Sequence, residues 1–104
     1  MDFKDMTCED LGFMGLYGGE CQKDIRARKG VYPGFSIREF MGFTELAANL
    51  FRTTQTEEKI QRDEISDENE MKRVYFEVGE MVRHLIKELG GTMPEDMPLP
   101  NYDQ

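Results

Sequence analysis

Few residues of this chain could do chemistry, and their spacing argues against most of what they could do. The one histidine, His84, stands four residues after Glu80 and four before Glu88, so on a helix the three side chains share a face. Such a group can move protons near neutrality, but on a helix surface it is expected to be a solvated pair. Cys8 and Cys21 have no base nearby in sequence, and without secretory context they are expected to be reduced thiols. Together with His84 they make none of the paired spacings of structural zinc sites. No catalytic residue, cofactor or metal is expected, and the chain is not read as an enzyme.

Glycines at 12, 15, 18 and 19 in GFMGLYGGE suggest a phosphate cradle. The fingerprint spacing, a lysine followed by serine or threonine, and a preceding strand are all missing. Glu20 and Asp24 would also occupy the positive end of the next helix. The expected role is an apolar, tightly turning loop, with Leu16 and Tyr17 docked on the core.

Charge is more informative. Twenty-one acidic against thirteen basic residues give a net charge of −8, which argues against a broad grip on nucleic acid, because affinity for phosphate comes from lysine and arginine. Direct binding to duplex DNA is expected to be weak or absent. One basic patch survives in QKDIRARKG, with Lys23, Arg26, Arg28 and Lys29 against Asp24, while DEISDENE from Asp63 is wholly acidic in its charges. The patch is either a contact surface for an acidic partner or cations gathered at a helix C-terminus.

These side chains are to be positioned by helices. From Asp67 to Leu89 the apolar residues Met71, Val74, Tyr75, Val78, Met81, Val82, Leu85, Ile86 and Leu89 recur at helical spacing, with Asp67 and Glu70 as a capping box and Gly90 as the stop. A second helix from Thr44 should offer Leu46, Ala47, Leu50, Phe51 and Thr54 to the same core, with Phe43 just before it. Shorter helices are expected from Glu20 to Lys29 and over SIREFM, capped by Ser36, and one turn after Thr7 with Phe3, Met6 and Leu11 available to the core. SIREFM, ELAANLF and the net-acidic TTQTEEKIQRDE could mimic a helix-turn-helix. Prolines 94, 98 and 100 leave an extended tail over 90–104, tacked down by Met93, Met97 and Leu99, with NYDQ frayed.

The fold expected is therefore all-α: one small domain over 1–104, of four to five helices built on the long amphipathic C-terminal helix. Its core should hold Leu46, Leu50, Phe51, Val74, Val78, Val82, Leu85 and Ile86. No apolar run approaches the ~18 residues of a membrane span, and the acidic start MDFKDM lacks a signal peptide's basic head, so an intracellular protein is expected. Phe76, off the dry stripe, and Gly79, a dent at its edge, suggest either a homodimer across the long helix or a Phe76 that covers a neighbouring loop of the monomer.

MGLYGG from Met14, QKDIRARKG from Gln22, MGFTELAANLFRTTQTEEKIQRD from Met41 and EVGEMVRHLIKELGGTMPEDMP from Glu77 resemble, in order and spacing, the C-terminal part of the DNA damage-inducible protein D family of the bacterial SOS response. The likeness runs from Gly12 to Pro98; VYPGFSIREF and DEISDENE follow the family pattern less closely. It implies a cytoplasmic, non-enzymatic regulator acting on the RecA recombinase and its filaments on single-stranded DNA. Family members usually carry a further N-terminal region similar to phage and baculovirus BRO proteins. That region is absent from this sequence, so any DNA-binding role it has does not carry over. A DNA-binding or transcriptional regulator, or a dimerisation domain of a larger protein, are the alternative readings.

Overall fold

A computed structural model describes residues 5–100. Four α-helices follow one another: α1 (Cys8–Leu16), α2 (Gln22–Lys29), α3 (Phe43–Arg62) and α4 (Glu68–Glu88). Single 3₁₀ turns lie at Ile37–Phe40 and Pro94–Asp96, and the described residues contain no strand. The architecture is all-α. Phe3 and the tail end NYDQ lie outside the described residues.

Local chemistry sets most helix ends. Thr7 Oγ1 accepts from the Asp10 amide at 3.0 Å, and Asp67 accepts from the Glu70 amide at 2.9 Å, each satisfying a first-turn donor. Gly30 and Gly90 sit at φ 67° and 76°, the left-handed conformation that stops a helix. Asp24 accepts from the Cys21 amide at 3.0 Å, and Asp10 accepts from the Gln22 amide at 3.2 Å, which starts α2 and ties it to α1. SIREFM winds as a 3₁₀ turn capped by Ser36 rather than as an α-helix.

The first correction concerns the glycines. Gly12 and Gly15 do not form a loop; they lie inside α1, and every residue from Leu11 to Tyr17 is buried. Their purpose is close approach. A Cβ on Gly15 would collide with the Phe76 carbonyl oxygen, and one on Gly79 would lie 2.7 Å from the Gly12 carbonyl oxygen. Helices α1 and α4 thus cross with backbones touching, as small residues permit. The turn comes only at Gly18 and Gly19, with φ 66° and 112°.

The second correction concerns α3. The apolar residues expected inside face out: Leu50 is 44% exposed, Phe51 49% and Phe43 90%. Glu45, Asn49, Arg52 and Thr56, at the same helical spacing, are buried instead, because other elements supply the partners that make their burial tolerable. Leu46 and Ile60 pack at the edges of the core. On α4, Val74, Val78 and Val82 are buried as expected and Ile86 packs against them, whereas Leu85 is 46% exposed. It borders an open groove toward Phe51.

The third correction removes the helix-turn-helix. ELAANLF and TTQTEEKIQR form one unbroken helix, so no turn sets a recognition helix apart. After Pro94, which is buried, the tail is held by Arg83, which donates to both Glu95 carboxylate oxygens at 2.7 and 2.8 Å.

Candidate functional site

The densest chemistry lies in the polar core that α3 assembles. Tyr17, from the end of α1, donates a short hydrogen bond to Glu45 Oε2. Lys29, from the last turn of α2, donates to Glu45 Oε1 at 2.7 Å and to the Phe40 carbonyl at 3.1 Å. Asn49 donates to the Tyr17 hydroxyl at 2.9 Å and to the Glu45 carbonyl at 3.0 Å, and accepts from Arg52 Nε at 3.2 Å. The Arg52 guanidinium lies over the Phe13 ring, 4.5 Å from its centroid, a cation–π contact. Burial pulls the Arg52 pKa down to about 10 and, with the hydrogen bond to Glu45, pushes the Tyr17 phenol well above its ordinary range.

Chemically this cluster is closed. The described residues have no buried side-chain nitrogen or oxygen without a partner, so the polar groups of the cluster satisfy one another. Sequence reasoning missed the cluster: polar residues at 45, 49, 52 and 56 repeat at helical spacing, but by periodicity alone such a stripe reads as a solvated face.

The cluster also takes apart the basic patch. Lys29 is 7% exposed and bound to Glu45. Arg28 pairs with Glu20 through two hydrogen bonds of 3.0 Å, which raise its pKa. Arg26 donates to the carbonyls of Phe35 and Tyr32 at 2.9 and 3.1 Å, fixing the Tyr32–Phe35 turn, in which Phe35 N–H bonds back to the Tyr32 carbonyl across Pro33 and Gly34. Lys23 stands exposed beside Arg26.

The pair expected to mark a dimer face is engaged within the chain. Gly79 is buried against α1, so its dent is already filled, and Phe76 is half-buried next to it. Phe76 lines a cavity of about 610 Å³ with Gly18, Gly19, Arg83, His84 and Lys87. Its arginine is occupied by Glu95 and by the Leu16 carbonyl, which counters the cationic charge a bound phosphate would need. His84 pairs with Glu88 at 3.3 Å in the open. Cys8 and Cys21 are free thiols, and burial raises the Cys8 pKa. No group of three or more metal-ligating side chains converges among the described residues, and none of their helices is long and apolar enough to cross a membrane.

These features define a small all-helical domain knit around a buried polar network, with an apolar helix face turned to solvent. The chain belongs to the family described as the DinD C-terminal domain, whose model matches residues 2–103. It is 54% identical over 92 residues to DNA damage-inducible protein D of Escherichia coli (strain K12), an alignment covering 88% of this chain and 34% of that protein. The chain therefore spans about a third of the length of that curated relative. No solved structure matches it.

Proposed function

We propose that the chain is a non-enzymatic, cytoplasmic interaction module of the DNA-damage response, acting on the RecA recombinase and its filaments on single-stranded DNA. The observation that carries this reading is the 54% identity, over most of this chain, to a protein named for its induction by DNA damage. RecA is the target implied by the family resemblance. Two features favour protein contact over a grip on DNA. Of the four cations of the α2 patch, Lys29 is buried and Arg28 is paired, which leaves little to neutralise phosphate on a chain of charge −8. The ionisable groups of the core are held by one another rather than presented to a substrate.

The contact surfaces proposed are the Lys23 end of α2 and the exposed acidic run from Asp63 to Glu70, which spans the α3–α4 connection and the first turn of α4. Arg26 and Arg28 hold local structure, so Lys23→Glu is the cleaner probe of the patch. Purified chain should retain RecA in a pull-down with single-stranded DNA present and inhibit RecA-driven strand exchange. Salt and Lys23→Glu should both weaken the complex, since exposed charge pairs are screened. Absence of RecA from the pull-down would sink the reading. Steeply salt-dependent binding to DNA alone would replace it with a DNA-binding regulator.

A further inference from the structure

Between Phe43 and Gln55 every exposed side chain of α3 is uncharged, and the two charged residues of that stretch, Glu45 and Arg52, are both buried. In a chain in which 33% of residues are charged, a face three turns long without charge needs an explanation. It is apolar as well. Phe43, Leu50 and Phe51 are exposed, and the Thr54 hydroxyl bonds back to the Leu50 and Phe51 carbonyls at 2.9 and 3.2 Å, which leaves its methyl group to the surface. The helix has turned its polar side in and its greasy side out.

We propose that this face is covered by a second copy of the chain, the two α3 helices running antiparallel about a twofold axis between Ala47 and Leu50. Phe43, Ala47, Leu50 and Thr54 follow the alternating four and three spacing of a coiled-coil seam. Antiparallel pairing maps that stripe onto itself. Ala47 meets Leu50 of the partner subunit, and Phe43 meets Thr54 of the partner subunit, so each large side chain faces a small one. Beside Thr54 runs a groove of about 270 Å³ with Phe51, Gln55, Met81 and Leu85 in its lining and Lys59 and Arg62 on the α3 side, a socket for the 90% exposed ring of Phe43.

Electrostatics select the same face. Two chains of charge −8 repel, and they can meet at least cost where neither presents a carboxylate. The exposed parts of Phe43, Leu50, Phe51, Met81 and Leu85 amount to on the order of 600 Å² per chain, close to the ~800 Å² that each partner gives a standard interface. An isologous contact of this kind is the commonest route to a closed assembly.

Equilibrium sedimentation of the chain should give a dimer mass, with association tightening as salt rises because like-charge repulsion is screened. Phe43→Glu combined with Leu50→Glu should return a monomer with unchanged helical circular dichroism, since both positions are exposed. In a Cys8→Ser, Cys21→Ser background, chains carrying Phe43→Cys mixed with chains carrying Thr54→Cys should form a mixed disulfide, and neither should cross-link alone. A wild-type chain that stays monomeric at about 1 mM, where even weak pairs associate, overturns the proposal and leaves the face to a partner of another sequence. A dimer that survives both glutamates overturns it too, as does disulfide formation between Phe43→Cys chains themselves.

Discussion

Gly15 and Gly79 touch backbone to backbone: a Cβ built on either would stand 3.1 Å from the Cα of the other. The obstacle is main chain, so a new side chain cannot be met by swinging a neighbour aside. Gly79→Ala should therefore destabilise the fold by about 1 to 3 kcal/mol through overpacking, against the ~1 kcal/mol that alanine gains over glycine in an isolated helix. Urea denaturation of the parent and the variant decides the sign. A more stable variant would mean that helix propensity outweighs the crossing.

The Lys29–Glu45 pair predicts a pattern rather than one number. Lys29→Met leaves the Glu45 carboxylate buried without its ammonium partner, which should cost about 3 to 5 kcal/mol. Adding Glu45→Gln removes the stranded charge while keeping an acceptor for Tyr17, and should recover much of the loss. Urea midpoints of the two single variants and the double variant make the cycle. Simple additivity would show that the pair is not coupled.

Leucines at two positions should behave differently. Leu16, at the end of α1, is fully buried in the core, whereas Leu85 is 46% exposed at the open groove. Leu16→Ala should cost about 2 to 5 kcal/mol, and Leu85→Ala no more than about 1 kcal/mol in the monomer, since half of its surface is already wet. Equal losses, measured by thermal or urea melts, would contradict the exposed setting of Leu85.

The tail should respond to acid. The hydrogen bonds from Arg83 hold the Glu95 carboxyl below its ordinary range. A lowered folded-state pKa means that the contribution is complete above the unfolded value, ~4.3 for glutamate, and is lost as pH falls through the lowered one. Glu95→Gln should cost about 0.5 to 1 kcal/mol at neutral pH for this partly exposed bidentate pair. Parent and variant should converge as the pH falls below the lowered pKa; a difference that persists into strong acid would assign the effect to packing around Pro94.

What the sequence announced was what near neighbours decide. Thr7, Asp67, Gly30 and Gly90 act within a few residues of themselves, and the helix ends they set were readable. The inward face of α3 was not, because Glu45 is made tolerable inside by Tyr17 and Lys29, 28 and 16 residues away, and periodicity counts a buried glutamate as a surface one. Gly12 and Gly15 read as breakers for the same reason: only distant groups, the Arg52 guanidinium against Gly12 and the α4 backbone from Phe76 to Glu80 against Gly15, make them contact residues. The basic patch was legible as composition but not as surface, since Glu20, Glu45 and two loop carbonyls occupy three of its four cations.

The α1–α4 crossing also governs how the chain can be made. Helix α1 is buried from Leu11 to Leu16, largely against a helix that begins only at Glu68. During synthesis it emerges before α2, α3 and α4 and stays uncovered while they are translated, an apolar segment open to aggregation or to a holding chaperone. The decisive contact is distant along the chain, so its loop must close before packing is rewarded. A nascent chain arrested before Val78 would leave the ribosome with α1 still exposed, ready to be handed to a protease.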